Sequence, residues 1–402
     1  MKHFLRFRLL LCLSLLTACA TTTPRPHPID TLLSEPPFDR AFWSVHIEDD
    51  SGRVLYSRNA DKLTIPASNR KLFASAAIVD CLGSDSQLTT EIWRDGEDLI
   101  LVGDGDPSLG SWRYERSDDF DRVAASLRER GFTRVRDVVA DVSLFDRHLI
   151  PGSWKHGNLG ADYAAPIDAL AWGESEIPTN RAVPDPALHA ATALRDALFA
   201  RGIEVTGTPR VNTERRAWGE RLLALPSPFI AHLLHAVLKN SHNLYAEMLL
   251  KRIGDGSYDT AFAMERAFLL RETRIDANAF QFADGSGLSP DDFVTPEATI
   301  RILRWMNDPS RRATWWPILA QPNNEGTLRR RLIPLEARFR GKTGTINGVN
   351  ALSGIIAMPD GSYRYFCAVA NHHIGESSVA NRIIDAMVAY AAETSPRTPA
   401  AP

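Results

Sequence analysis

Strand-like segments lie at the two ends of this chain, and helix-like segments fill most of the middle. Residues 42–60 alternate between apolar and polar side chains around a turn at Asp50-Ser51-Gly52, which predicts a β-hairpin. Residues 349–371 repeat the pattern around Pro359-Asp360-Gly361. Strands at both ends with helices between them favour an α/β domain that is closed by its own two ends.

The middle of the chain reads as a series of helices. One is predicted to begin near Ser68, shortly after Pro66, and to end at Gly83. Apolar residues at helical spacing predict others at 118–130, 186–201, 228–239, 241–253, 258–272, 295–307 and 376–393.

The length of 402 residues allows a catalytic domain with an inserted unit. The inserted unit contains the strand run "LILVGDGD" and two of the predicted helices, enough for one small α/β subdomain. We expect a catalytic domain at 31–85 and 219–394, a shortened insertion subdomain at 86–218, and a disordered tail at 395–402.

The N-terminus has the pattern of an export signal. Basic residues at positions 2, 6 and 8 precede an apolar run, Leu9 to Leu16, that is too short to span a membrane. The run ends in "LTAC", which resembles the lipobox of bacterial lipoproteins. We expect a signal peptide at 1–18, lipidation of Cys19 and a tether at 19–30. An ordinary cleaved signal with a chance cysteine is the alternative.

The net charge and the cysteine content bear on three further points: nucleic-acid binding, disulfides and metal sites. The net charge of −3, without a long basic run, gives no argument for binding nucleic acid. Cys12 would be lost with the signal, so Cys81 and Cys367 remain. An oxidising compartment would permit a disulfide, although two free thiols are favoured. Neither cysteine nor histidine spacing is typical of a metal site, and we expect no metal and no cofactor.

Three short motifs follow one another along the chain. Ser68 and Lys71 lie three residues apart at a helix start, Ser241-His242-Asn243 begins another helix, and Lys342-Thr343-Gly344 opens a strand run. Each motif alone is explained equally well by a helix cap, a solvated lysine or a plain turn. In this order, the three are typical of β-lactamases and penicillin-binding proteins.

The residue types suit acyl transfer. Residues i and i+3 share a helix face, so Lys71 can reach the Ser68 hydroxyl. Burial and a nearby cation would favour neutral Lys71, which could then take the Ser68 proton. Lys342 would supply that cation. Ser241 is placed to pass protons to the leaving amine, and Asn243 to orient Lys71 and the substrate amide.

The third motif suggests a carboxylate-binding edge. Lys342, with the hydroxyls of Thr343 and Thr345, presents positive charge and hydrogen-bond donors to a terminal carboxylate. Gly344 would let the substrate backbone lie against the strand. The backbone N–H groups of Ser68 and Thr345 would form an oxyanion hole.

Further stretches resemble one family. "SHNLYAEMLL", "DGSGLSPDDF", "EGTLRRR" and "FRGKTGTINGV" are similar to the D-Ala-D-Ala carboxypeptidase/endopeptidase family of the class C penicillin-binding proteins. The resemblance covers nearly the whole mature chain. It implies a penicillin-binding-protein/β-lactamase-like transpeptidase fold. In this fold an antiparallel sheet is flanked by helices, and we expect the domain to contain one inserted α/β subdomain.

Two departures from the family pattern stand out. His242 occupies a position where the family usually has Asp or Asn, and its side chain is expected to point away from the cleft. Only "WGESEIPTNRAVP" separates "DYAAPIDAL" from "DPALHAA", where relatives carry a further β-rich segment. We expect "DYAAPIDAL" to approach the cleft, where Asp162, Tyr163 or Asp168 could meet the amino group of diaminopimelate. The alternative, equally favoured, is that these residues only pack or cap the subdomain.

The resemblance implies a serine DD-carboxypeptidase, an endopeptidase, or both. Its partners would be peptidoglycan stem peptides that end in D-Ala-D-Ala or are crosslinked, and β-lactams. The enzyme would be exported and lipid-anchored, at the outer membrane facing the periplasm. The alternatives are a β-lactamase or an esterase on the same scaffold, or a non-catalytic cell-wall-binding lipoprotein. None of the glutamates between the second and third motifs begins the ExxLN pattern of class A β-lactamases.

Overall fold

The computed structural model describes residues 26–177 and 180–393. The expected signal peptide, the lipidation site Cys19 and the tail at 395–402 lie outside these residues. The expected tether overlaps them at its end, and there it differs from the structure. Helix α1 (Pro28–Leu33) begins before residue 30 and buries Ile29 and Leu33, so the chain is already packed at that point.

The two ends of the chain form one antiparallel sheet, as the hairpin pattern predicted. The strand order is β14-β15-β16-β1-β2, and Phe42 at the start of β1 pairs with Asn371 at the end of β16. The strand bounds are β1 (Phe42–Asp49), β2 (Val54–Arg58), β14 (Phe339–Ile346), β15 (Val349–Ala357) and β16 (Tyr363–Asn371). β14 is an edge strand of this sheet, so one of its sides is open to an added chain.

A second sheet is built by the inserted segment. Its order is β10-β6-β4-β3-β11, with parallel pairing only between β10 and β6 and between β6 and β4. Its strands are β3 (Thr89–Asp95), β4 (Asp98–Val102), β6 (Val138–Asp141), β10 (Pro209–Asn212) and β11 (Glu220–Pro226). Because β11 pairs with β3, the segment that builds this sheet runs beyond the expected boundary at 218 to Pro226.

Short strands complete the two units. They are β5 (Arg134–Val135), β7 (Glu176–Ile177), β8 (Arg181–Ala182), β9 (Glu204–Val205), β12 (Phe280–Gln281) and β13 (Phe293–Val294). The pairs are β5 with β9, β7 with β8, and β12 with β13. In the stretch around 170–186, where relatives were expected to carry a further segment, β7 and β8 are thus the only strands among the described residues.

The helices follow the predicted ones closely, apart from α1 and α9, which had not been predicted. Their bounds are α2 (Arg70–Leu82), α3 (Asp119–Glu129), α4 (Pro186–Ala200), α5 (Ile230–Leu238), α6 (Asn243–Ile253), α7 (Tyr258–Phe268), α8 (Pro296–Met306), α9 (Arg312–Ile318) and α10 (Ser377–Glu393). Among the described residues, no helix combines the length and the apolar character that crossing a membrane requires.

Helix α6 joins the two units. Its residues Tyr245 and Leu249 belong to the core between the main sheet and helices α2 and α5. Its residues Leu244 and Met248 belong instead to the core of the inserted segment. Because both cores bury side chains of one helix, the N-terminus of α6 is held against both units. Cys81 and Cys367, elsewhere in the catalytic part, are free thiols.

Candidate active site

Ser68 lies on a tight turn that precedes helix α2. The turn is a single 3₁₀ turn, Ala67–Asn69, and Ala67 has a left-handed φ of 47°, an uncommon conformation for a residue with a side chain. Two glycines, Gly287 and Gly344, pack directly against the backbone of this turn. A Cβ on Gly287 would lie 1.9 Å from the Ala67 carbonyl oxygen, and one on Gly344 would lie 2.8 Å from that of Pro66.

This packing gives a second reason for a glycine at position 344. A Cβ there would also lie 3.2 Å from the Ser68 nitrogen. The approach of β14 to the Ser68 turn therefore requires a glycine here, in addition to the room that we expect a substrate backbone to need. The same argument gives Gly287, in the "DGSGLS" stretch, a role in holding the turn.

Lys71 is fully buried and directed at Ser68. Its Nζ lies 3.0 Å from Ser68 Oγ, 2.6 Å from Asn243 Oδ1 and 2.6 Å from the carbonyl oxygen of Ser286. A neutral amine that donates its two N–H bonds to Asn243 and Ser286 keeps its lone pair in the third direction, toward the Ser68 hydroxyl. The geometry suits proton transfer from Ser68 to Lys71.

Burial also tunes the pKa of Lys71. Desolvation lowers this pKa to about 8, against the opposing negative charges of Asp284, Glu247 and Asp292. At pH 7 roughly one molecule in ten then holds Lys71 as a neutral amine, whereas an unperturbed lysine would be neutral in about one in 3,000.

Lys342 meets Ser241 on the other side of the cleft. Its Nζ donates to Ser241 Oγ at 2.8 Å and to the Thr343 carbonyl at 2.9 Å. Ser241 has a left-handed φ of 67°. Burial and the charge of Lys71 place the pKa of Lys342 well below its ordinary value. No carboxylate of the described residues contacts this ammonium, so a bound anion would stabilise its charged form.

The outer edge of β14 is available to a substrate. Gly341 exchanges both backbone hydrogen bonds with Ala320 on the side away from β15. Because backbone direction alternates along an antiparallel strand, the N–H and C=O groups of Thr343 and Thr345 also point outward. The Ser68 nitrogen lies close to Gly344 of the same strand, and the N–H groups of Ser68 and Thr345 remain our prediction for the oxyanion hole.

A buried layer beneath the nucleophile had not been predicted. Glu247, on α6, accepts hydrogen bonds from the backbone N–H groups of Gly285 and Ser286, each at 2.8 Å. Asp284 accepts from Trp154 and from three backbone N–H groups of its own loop. These bonds fix the Ser286 carbonyl against Lys71. The sequence signal was present in "SHNLYAEMLL" and "DGSGLS".

Burial and neighbouring charge also shift the pKa of Glu247 in this layer. Desolvation and the charge of Asp284 raise the pKa of Glu247 to about 7, against hydrogen bonds from the Ser286 and Gly285 region. Next to Lys71 in sequence, Arg70 points the other way and makes two hydrogen bonds of 2.6 Å to Glu265. Both members of this ion pair are buried, and Arg70 also donates to the Asp284 carbonyl, which ties the start of α2 to the same loop.

His242 points away from the cleft, as expected, and into the inserted segment. Its Nε2 lies 3.2 Å from a Glu174 carboxylate oxygen and 3.6 Å from one of Glu176. Burial acts to lower the pKa of His242, but hydrogen bonds to Glu174 and Glu176 outweigh it and raise the pKa. Glu174 also accepts from Ser111 and Arg113, so it is the centre of a buried polar network.

The "DYAAPIDAL" stretch reaches the site through its backbone. Asn243 Nδ2 donates to the Tyr163 carbonyl at 2.8 Å. Asp168 is unavailable to a substrate, contrary to expectation, because its buried carboxylate pairs with Arg147 at 2.9 Å. Asp162, half-buried beside Tyr163, accepts a hydrogen bond from the Tyr163 N–H.

Comparison with known proteins agrees with this geometry. The sequence model of the D-Ala-D-Ala carboxypeptidase 3 (S13) family matches residues 26–176 and 171–394. The D-alanyl-D-alanine carboxypeptidase of Actinomadura sp. (strain R39) is 28% identical over 470 residues, covering 93% of this chain and 85% of that protein. Carboxypeptidase DacB of Mycolicibacterium smegmatis is 26% identical over 351 residues, covering 80% and 75%.

Solved structures show the same fold. Penicillin binding protein 4 from Haemophilus influenzae has a TM-score of 0.82 at 18% identity, over 91% of this chain and 99% of that one. A predatory endopeptidase from Bdellovibrio bacteriovorus has a TM-score of 0.61 at 18% identity, over 87% and 92%. The predicted penicillin-binding-protein-like α/β fold is confirmed.

Proposed function

The chain belongs to the D-Ala-D-Ala carboxypeptidase 3 (S13) family, and we propose that it hydrolyses peptidoglycan stem peptides through an acyl-enzyme on Ser68. It removes a terminal D-Ala, cuts a D-Ala–diaminopimelate crosslink, or does both, and β-lactams acylate the same serine. The observation that carries this proposal is the placement of the buried Lys71 amine 3.0 Å from Ser68 Oγ, with its other acceptors fixed.

Acylation begins with proton transfer from Ser68 to Lys71. The Ser68 oxygen forms a bond to the D-Ala carbonyl carbon, and the resulting oxyanion accepts hydrogen bonds from the N–H groups of Ser68 and Thr345. The C–N bond then breaks as the leaving amine takes a proton from the Ser241 hydroxyl, which hydrogen-bonds to Lys342. Ser241 regains a proton as Lys71 gives up the one it took from Ser68, so Lys71 is neutral again. In deacylation, water gives a proton to Lys71 while its oxygen attacks the ester carbonyl. The bond to Ser68 then breaks, Ser68 takes the proton back from Lys71, and the peptide leaves with a new carboxyl group.

The carboxylate next to the scissile bond is recognised by Lys342, Thr343 and Thr345. This carboxylate supplies the negatively charged partner that Lys342 otherwise lacks. Its binding therefore raises the pKa of Lys342 and keeps the ammonium charged. A charged Lys342 in turn favours a neutral Lys71. Substrate binding thus promotes the protonation states that acylation needs. Asp162, beside the Tyr163 carbonyl that holds Asn243, is our candidate for the amino group of diaminopimelate.

Purified protein should release D-Ala from a peptide that ends in D-Ala-D-Ala, or split crosslinked muropeptides, as measured by mass spectrometry. Ser68→Ala should abolish both activities, and Ser51→Ala, at an exposed position in the turn between β1 and β2, should retain them. Penicillin labelling alone is insufficient, since a sensor or a β-lactamase is also acylated. Rapid penicillin turnover without any D-Ala release or muropeptide cleavage would overturn the proposal.

We also propose that the protein is exported and anchored by lipid on Cys19, at the outer membrane facing the periplasm. The basic N-terminus, the short apolar run and the "LTAC" sequence support this location. Cys19→Ala should move the protein from the membrane fraction to the periplasmic fraction, whereas Cys12→Ala should leave it in place. Unchanged fractionation of Cys19→Ala would contradict the anchor.

A further inference from the structure

A groove adjoins the carboxylate-binding end of the active site. It has a volume of about 570 Å³ and begins at Thr343 and Thr345 on β14. Its other walls are the loop that carries "EGTLRRR" and the start of α10, at Asn381. The groove therefore continues from the position of the substrate carboxylate, in the direction of the leaving group.

Two arginines on this loop carry unneutralised charge. Arg329 and Arg330 line the groove, are exposed, and form no side-chain hydrogen bond or ion pair with any residue that the structure describes. Their neighbour Arg331 differs, because its guanidinium makes several hydrogen bonds to the Asp385 carboxylate, the shortest at 2.8 Å. The loop thus offers two free cations beside one that is already paired.

The backbone of the loop is anchored on both sides of these arginines. Thr327 N–H donates to the Lys239 carbonyl at 3.1 Å, and Arg331 ties the other end to α10. Gly326, with a φ of 94°, packs so closely on Lys239 that a Cβ would lie 2.4 Å from its carbonyl oxygen. Because the loop is fixed at both ends, Arg329 and Arg330 are held over the groove.

We propose that Arg329 and Arg330 form a carboxylate-binding rim that selects crosslinked substrates by holding the acidic peptide on the leaving side. This inference rests on the proposed function. A terminal D-Ala has one carboxylate, which Lys342, Thr343 and Thr345 already accommodate. The leaving half of a crosslink is a longer peptide with further carboxylates. It continues past Thr345 into the groove, where guanidinium groups can bind carboxylates in bidentate fashion.

The test compares two substrates and two double variants. Arg329→Gln/Arg330→Gln removes the rim, and Arg201→Gln/Arg301→Gln removes two other exposed arginines that lack an ion-pair partner among the described residues. We expect the rim variant to raise KM for a crosslinked muropeptide dimer by about tenfold with little change in kcat. Its release of D-Ala from an uncrosslinked peptide should stay within about twofold of wild type. Added salt should narrow the difference between the proteins.

The outcomes separate this inference from the proposed function. Equal effects of the rim variant on both substrates, no effect on the dimer, or a wild-type enzyme that cleaves only the uncrosslinked peptide would each overturn the rim. A wild-type enzyme that hydrolyses neither substrate would instead overturn the proposed function. Penicillin acylation of Ser68 checks that the variant is folded; if the double variant fails it, the single variants Arg329→Gln and Arg330→Gln carry the same comparison.

Discussion

The protonation of Lys71 should set the acidic limit of acylation. With a pKa of about 8, Lys71 is neutral in about half of the molecules at pH 8, in one in ten at pH 7 and in one in a hundred at pH 6. The second-order rate constant for penicillin acylation should therefore fall about tenfold per pH unit below pH 7 and level off above pH 9. Stopped-flow mixing, with mass spectrometry of the acylated protein, measures this constant.

Replacing the base tests the same reasoning at one pH. Lys71→Arg keeps a cation within reach of Ser68 but stays protonated throughout the accessible pH range. Because general base catalysis contributes about 10²–10⁴ in rate, acylation at pH 8 should fall at least a hundredfold. A flat rate profile between pH 6 and pH 8, or a Lys71→Arg protein that acylates within tenfold of wild type, would refute Lys71 as the base.

Three other substitutions probe separate parts of the site. Ser68→Ala should abolish the single penicillin adduct, which peptide mapping should place on Ser68 in the wild type. Lys342→Arg keeps the charge and should retain part of the acylation that Lys71→Arg loses; equal loss in both would argue against distinct roles. Gly344→Ala should slow acylation at least tenfold, because its Cβ would meet backbone atoms of the Ser68 turn, whereas Gly152→Ala, with open space around its Cβ, should acylate like wild type.

The parts of the fold that were predicted are those with a strong local pattern. The terminal hairpins and helices such as α3 and α8 have clear alternation or helical spacing. Helix α9 was missed because Pro317 lies inside it and its short sequence has no helical period. Strand β11 was missed because its residues are largely exposed, so no apolar alternation marks it, and this moved the boundary of the inserted segment.

The motif side chains were predicted because their chemistry depends on residue type. The groups that hold these side chains in position were not predicted, for a physical reason. The acceptor that orients Lys71 is the Ser286 carbonyl, and a backbone carbonyl has the same chemistry in every residue. Its position depends on Glu247 and Asp284, which are close to it only in the folded chain. The role of Gly344 in the packing of β14 on the Ser68 turn was likewise missed, because close approach between two segments is not visible in either segment alone.

The inserted segment bears on catalysis through the position of the second motif. Ser241 has a left-handed φ, a conformation that costs of order 1–3 kcal/mol and persists only where its surroundings hold it. The two residues that follow Ser241 are tied to the insertion: His242 by Glu174, and Asn243 by the Tyr163 carbonyl. Helix α6 adds two buried side chains to the same unit. Loosening the inserted segment should therefore displace Ser241 and Asn243 and slow proton delivery to the leaving amine, even with Ser68, Lys71 and Lys342 unchanged.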